Sequence, residues 1–532
     1  MVARARECRV GPRRYPESSL RRAGEIRAVR PLPFLFSAAD QRSPLVAVTD
    51  ASTTVASPSD VTREQSRVIW LLLAAAFVAI LNETTMGIAI PHLNADLGLP
   101  PELGQWMTSA FMLTMAVVIP TTGFLLQRFT TRQIFMAAMI AFSMGTLICL
   151  LAPGFVVLLA GRVVQAAGTG VLLPLLMTTI MEVVPPASRG RMMGRVGMVI
   201  SLAPAIGPVA AGAVLDHLSW RWLFGIVLPI ALVALAIGTK WMTDLNETRR
   251  LRLDVLSIPL AALGFGGIVF GLSQFGGEAS GAVTAGVVAL VVSIVALGLF
   301  VWRQLVLARA DDALLDLRVF RSANFTVSVI VMSVLALSMF GTLTLLPQYL
   351  QNVVGLDAFE SGLTLLPGSI LMGVMAPLIG RIYDARGPKT LLVPGTILVA
   401  GSLFFYATVG AHTPWWVLIV VQTVMSVGLA ASFTPLFSAS LGSLDRHLYS
   451  HGSAVLNTLQ QVAGAAGVAV LTVTYASLLH SGASVGLDIA SAGASGARLA
   501  FLIAACISLA AVVLSFFIRK PDESGADAPV GH

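Results

Sequence analysis

The chain of 532 residues is 56% hydrophobic and 11% charged, with a mean hydropathy of +0.84, too apolar and too poor in charge for a soluble globular protein. Its net charge of +7 does not signal nucleic acid, because the first 67 residues hold 12 of the 34 Lys and Arg against 7 acids, and the other 22 face 20 acids. Three scattered cysteines (Cys8, Cys149, Cys506) build no disulfide framework or thiol metal site, and no lysine follows a glycine, so the GxxxxGK[ST] phosphate loop of an ATP-driven pump is missing.

Residues 1–67 are rich in Arg, Ser and Pro and have no apolar core beyond PLPFLF at 31–36, which is too short for a signal peptide. A disordered basic cytoplasmic tail is expected there. Mitochondrial targeting is disfavoured by Glu7, Glu17 and Glu25, and an overlong start is an alternative.

Residues 68–91, VIWLLLAAAFVAILNETTMGIAIP, are apolar except for one carboxylate, Glu83. At ~1.5 Å per residue the stretch clears a ~30 Å hydrocarbon core, so it predicts a transmembrane helix. An ionised carboxylate at such depth costs ~2.5 to 3.5 kcal/mol and usually faces a polar cavity or a partner. Desolvation favours its neutral form, which suits a group that loads and releases a proton. The alternative is a glutamate paired for packing or snorkelling to the surface.

Charge-free length and Pro, Gly or polar breaks place further spans at about 104–126, 133–152, 156–181, 196–215, 222–240, 255–275, 281–302, 324–350, 361–380, 390–410, 415–440, 453–478 and 499–518, fourteen helices in all. With the tail inside, the inner loops and C-terminus carry 19 Lys and Arg against two outside, Arg221 and Arg498. The bias predicts an even count with both termini cytoplasmic.

An internal repeat follows. Gly123 with FLLQRFTTR after the second span matches Gly380 with RIYDARGPK after the tenth, 257 residues apart, and Arg132 corresponds to Lys389. GRVVQAAGTG at 161–170 has a weaker echo in VVQTVMSVGL at 420–429. The predicted fold is all-α, six plus two plus six: a six-helix half at 68–242, two inserted helices with linkers at 243–323, a second half at 324–518 and a cytoplasmic tail at 519–532, with the halves pseudo-symmetric about a central cavity.

Four stretches resemble the fourteen-helix drug:proton antiporters of the major facilitator superfamily, the EmrB/QacA type, and the likeness runs from 68 to 518. In GMVISLAPAIGPVAAGAVLD at 197–216, similar to the antiporter motif, Gly197, Gly207, Pro208 and Gly212 hold small or bending positions, and Ala203 and Ala211 stand where glycine is usual. Ala203, Gly207 and Ala211, four apart, make a flat ridge for a neighbouring helix, and Pro204 and Pro208 permit a kink. The resemblance implies a dry helix that seals leaks; ordinary small-residue packing is the alternative.

Arg162, Gln165 and Gly168 fit the family's fourth-span pattern. Arg162 and Gln165 are i and i+3 on one face, expected to look into the cavity with Glu83, where the guanidinium would favour proton release. Snorkelling to headgroups is the alternative for Arg162. Gly123, Arg128 and Arg132, and then Gly380, Asp384, Arg386, Gly387 and Lys389, resemble the family's cytoplasmic loop signature. Its glycines are read as permitting a tight turn, and Asp384 as accepting from the next helix's N-terminus or pairing with arginine. In the first copy Gln127 replaces the aspartate, which puts an ion pair there in doubt.

The first span departs from the family: Asn82 stands where similar proteins often have aspartate, and Glu83 is displaced by ~100° around the helix. Thr84 and Pro91 fit, as do LLPQYLQNVVG at 345–355 and LTLLPGSI at 363–370. Asn82, Thr84, Gln165, Phe111, Met112, Met115, Phe340, Tyr349, Phe433 and Phe437 are candidate cavity residues, each with helix packing or lipid contact as its alternative. His447 and His451 are four apart, but no acid or cysteine cluster accompanies them, so a solvated loop pair is expected and no metal.

The resemblance implies no cofactor, only a proton as coupling ion. The expected partners are the lipid bilayer and small amphiphilic substrates, with no nucleic acid; a monomer in a bacterial inner membrane is expected, and a periplasmic adaptor is left open. The expected function is proton-coupled export by alternating access. A dedicated exporter of one lipid, siderophore or metabolite is the nearer alternative, and an intramembrane enzyme or sensor the remote one, disfavoured because Glu83 is the sole midspan carboxylate and no catalytic constellation accompanies it.

Overall fold

The computed structural model describes residues 62–99, 101–245, 254–274, 281–310, 312–356, 358–410, 413–484 and 488–520. Residues 1–61 of the tail expected at 1–67, the inner-loop Arg249, Arg250 and Arg252, and residues 521–532 lie outside the described residues, while 62–67 form the cap and first turns of the first helix.

In chain order the main helices are α1 (Arg63–Leu97), α2 (Pro101–Arg128), α3 (Thr131–Leu150), α4 (Phe155–Val183), α5 (Arg189–Leu215), α6 (Arg221–Trp241), α7 (257–274), α8 (Ala282–Leu307), α9 (Ala323–Tyr349), α10 (Leu366–Arg386), α11 (Lys389–Tyr406), α12 (Trp415–Gly442), α13 (Tyr449–Ser484) and α14 (Ile489–Ser515). Among the described residues there is no strand. A lipid-facing backbone must satisfy its own hydrogen bonds, and helices do so within each segment. Where they start follows local chemistry. Thr62 caps α1 reciprocally with Gln65, which begins the helix at Arg63, ahead of the expected 68, and Gly98 at φ 61 ends it. Thr130 and Gln133 form the same box on α3.

Thirteen helices among the described residues are long and apolar enough to cross a membrane. The expected seventh span, 255–275, corresponds to α7, whose shorter apolar stretch Ser257–Leu272 contains a π-turn at Ala262–Gly266 and runs up to residues that are not described. Each of the other expected spans falls on a helix.

Helix packing repeats. The neighbours within α1–α6 include α1–α4, α1–α5, α1–α6, α2–α4, α3–α4 and α3–α6, and the same pattern recurs as α9–α12, α9–α13, α9–α14, α10–α12, α11–α12 and α11–α14. The two sets meet through α5–α10 and α2–α13, with lesser contact of α4 on α13 and α5 on α12. The pair α7–α8 lies against α2 and α13 through α7. Outside its α7 seam, α8 presents Val283, Val287, Val291, Ile294 and Val295 outward, as lipid-facing helices do. At its charged end Arg303 pairs with Asp254 at 2.6 Å and Gln304 accepts from the Leu315 backbone at 3.0 Å, which ties the inserted pair to the segment leading into α9.

Candidate functional site

A polar cluster is buried among α1–α4. Arg162 is fully enclosed; its Nη1 donates to Asn82 Oδ1 at 3.0 Å and Gln165 Oε1 at 2.7 Å, and its Nε to the Met107 carbonyl at 3.4 Å. The guanidinium lies 4.1 Å over the Phe111 ring centroid, a cation–π contact. Gln165 in turn donates to Thr146 Oγ1 at 2.7 Å. A Cβ on Gly145 would stand 2.6 Å from Gln165 Cα, so the glycine lets α3 and α4 close around the cluster. Arginine stays charged in a protein, and this one is held by neutral oxygens with Nη2 unpartnered among the described residues.

Glu83 follows Asn82 on α1 and is half-buried. No ion pair within 4.0 Å and no hydrogen bond engages its carboxylate among the described residues. The hydrogen bond from the α1 side goes to Asn82, the residue before Glu83, while the Arg162 guanidinium acts on the Glu83 carboxylate by charge alone and not by contact. Arg162 is fully buried and does not snorkel.

Thr84 also lies outside the cluster. Its hydroxyl donates to the Ile80 and Leu81 carbonyls and the side chain packs on Gly207, where a Cβ would come within 3.2 Å of Thr84 Cβ. Gly207 thus brings α5 against α1, with Ala203 and Ala211 buried along the same ridge. Gly197 instead faces Thr434 and Ala376 across the junction of the halves, and Gly212 has open space around it. Helix α5 runs unbroken past Pro204, which is exposed; the side chain of Pro208 lies outside the described residues.

The halves are joined most closely at the charged end. Gly190 of α5 and Gly380 of α10 meet backbone to backbone, and Gly194 abuts Ala376 and Pro377. Asp384 accepts from the N–H of Gly190 at 2.8 Å and of Arg191 at 2.9 Å, and Arg191 Nε lies 3.5 Å away. The carboxylate therefore caps α5, in the other half, and not the next helix in sequence. On the opposite side Gly123 of α2 makes room for His451, whose Cα would lie 3.3 Å from an added Cβ, and Gln127 donates to the His447 carbonyl at 2.9 Å and Ser450 Oγ at 3.3 Å. Gly123 and Gly380 are thus close-approach residues inside helices, not turn formers. Gly387, at φ +77, does terminate α10. Arg128, Arg386 and Lys389 are exposed, and Arg132 ties α3 to α6 through the Thr239 carbonyl at 2.8 Å.

Above this closed end, between the halves, lies a cavity of about 110 Å³ lined by Met177, Met193, Met339 and Met372, by Phe433 and Phe437, and by polar Thr434, Asn457 and Gln460. Of the aromatic candidates only Phe433 and Phe437 line it. Phe111 serves Arg162, and Met115 packs with it and Ile119. Phe340 fills the space over Gly464, and the Tyr349 hydroxyl donates to the Gly410 carbonyl at 2.7 Å. His451 was expected in a solvated loop; it is instead buried on α13 against Gly123, while His447 is exposed. Asn457 and Gln460 were missed; they lie three apart on one helix face, but Ser453, Thr458 and Gln461 beside them left no sequence signal that singled out that face.

The sequence profile of the Major Facilitator Superfamily matches residues 72–468. The uncharacterized MFS-type transporter YcnB of Bacillus subtilis is 38% identical over 87% of this chain and 97% of its own, and the lincomycin resistance protein LmrB of Listeria monocytogenes is 40% identical over 85% and 96%. Among solved structures, the human organic anion transporter MFSD10 superposes with a TM-score of 0.59 at 16% identity, covering 85% of this chain and 99% of that one. The family match, the relatives and the likeness in fold agree: the chain belongs to the Major Facilitator Superfamily, whose members are transporters and not enzymes.

Proposed function

We propose that the chain is a proton-coupled antiporter of the fourteen-helix drug:proton type, exporting amphiphilic small molecules across a bacterial cytoplasmic membrane, with 68–242 and 324–518 as the moving halves and 243–323 as an insertion. The observation that carries this reading is the carboxylate of Glu83, midway along α1, half-buried and free of any ion pair among the described residues. Protonating it breaks no salt bridge, so its charge can follow the proton supply without dismantling the Arg162 cluster beside it.

The joined charged end is the arrangement of a carrier shut towards the cytoplasm. From there a proton from outside neutralises Glu83, the α5–α10 and α2–α13 contacts part, substrate enters from the cytoplasm or inner leaflet, and the proton leaves inward. Each charge moved through 100 mV supplies ~2.3 kcal/mol, and each tenfold in proton gradient ~1.4 kcal/mol. The wall of methionine, phenylalanine and neutral amides suits uncharged or weakly charged amphiphiles. A cavity of about 110 Å³ is below the ~300 Å³ or more that drug-sized ligands occupy, so the halves must separate to admit one. A relative named for lincomycin resistance supports antibiotics as the substrate class.

The test is Glu83→Gln in proteoliposomes. Efflux driven by a pH gradient should vanish while substrate binding by the purified variant persists; undiminished gradient-driven efflux refutes the assignment.

A further inference from the structure

The transport reading leaves one cavity unused. At the charged end of the α5–α10 seam a space of about 540 Å³ is walled by Arg191 and Arg195 of α5, Arg381 and Asp384 of α10, and the smaller Pro377 and Ala385. Arg191 and Arg195 are four apart, so their guanidinium groups share one face of α5. Asp384 is already engaged by two backbone N–H groups and by Arg191. Arg195 and Arg381 make no hydrogen bond or ion pair among the described residues. Three guanidinium groups from two halves thus converge on a space that holds one committed carboxylate. A plain excess of positive charge at the inner face accounts for basic residues in loops, but not for their convergence on one cavity across a seam.

We propose that this cavity binds the phosphate of an anionic membrane-lipid headgroup, held by Arg191 and Arg195 on one side and Arg381 on the other. Guanidinium groups offer paired N–H donors that match phosphate oxygens, and the free donors of Arg195 and Arg381 supply them. The site lies at the helix ends, the depth of headgroups at the face the charge bias marks as cytoplasmic, where basic residues attract anionic lipid. Because the arginines come from both halves, a bound phosphate bridges the seam that must part when the carrier opens inward. Anionic lipid therefore favours the joined state.

The experiment is native mass spectrometry of the purified full chain titrated with phosphatidylglycerol or phosphatidylcholine, for wild type and for R195Q/R381Q, with thermal stability read in parallel. Both arginines are exposed, so the variant should fold, and a matching melting curve in phosphatidylcholine verifies that. Wild type should prefer phosphatidylglycerol, and the variant should bind it roughly thirty-fold more weakly with phosphatidylcholine unaffected. R381K should retain most of the affinity. Equal phosphatidylglycerol binding by wild type and R195Q/R381Q overturns the proposal. So does stabilisation by millimolar inorganic phosphate without any preference for phosphatidylglycerol, which would make free phosphate the occupant. The readout is binding alone, so its failure is separate from failure of proton coupling at Glu83.

Discussion

The contact between Gly380 and Gly190 can be tested by adding a single methyl group. A Cβ on Gly380 would stand 2.8 Å from the Gly190 carbonyl carbon and 3.1 Å from Arg191 Cα, with the Gly190 oxygen nearer still. All three belong to backbone at the start of α5 and to no flexible side chain, so relief requires the two helices to move apart. Overpacking of this kind costs ~1–3 kcal/mol. The penalty falls on the joined state alone, since the contact does not exist once the seam has opened. Gly380→Ala should therefore shift the equilibrium towards the open-seam form by ~5- to ~140-fold. Spin labels at Ala187 and Ala385, both exposed near the seam, would report it by pulsed dipolar spectroscopy in nanodiscs. The variant should show a longer-distance population that wild type lacks, and Gly380→Val a larger one. Unchanged distance distributions in both variants would refute the close approach.

Asp384→Asn acts on the same seam through charge. Hydrogen bonds to a charged acceptor contribute ~1.5–3 kcal/mol and neutral ones ~0.5–1.5, so the joined state should lose ~1–2 kcal/mol; Arg191 is exposed and adds little. The same labels should show a ~5- to ~30-fold shift, and an effect additive with Gly380→Ala would argue against a shared contact. At the far end, Asp96 accepts from Trp220 Nε1 at 2.9 Å and Arg221 Nη1 at 3.2 Å, which holds its carboxyl below the usual range. A depressed folded value means the tie contributes fully above the unfolded carboxylate pKa of ~3.9 and is lost as pH falls through the folded value. Asp96→Asn should melt lower than wild type at neutral pH and converge with it in strong acid; a gap that widens on acidification would contradict this.

The spans were legible because hydrocarbon thickness imposes a minimum apolar length, which thirteen helices among the described residues meet. The π-turn at Ala262–Gly266 was not, since nothing in ALGFG differs in hydropathy from its flanks. At the site, Arg162, Gln165 and Glu83 stood out as polar groups in oil. Which oxygen the guanidinium chose depended on one residue's rotation about α1, and Asn82, read only as a departure, holds the arginine. The cavity escaped because Met177, Met193, Met339 and Met372 come from four helices and share no local pattern. His451 was misplaced for a related reason: its burial is created by Gly123, more than three hundred positions away.

The two fastenings between the halves at their charged end differ in kind. One relies on a carboxylate facing backbone amides and an arginine, the other on the uncharged amide of Gln127 reaching a carbonyl and a hydroxyl. Ionic strength and acidity weaken the former and leave the latter intact. Salt or acid at that end of the molecule would therefore loosen the α5–α10 edge first, and the α2–α13 edge would hold for longer.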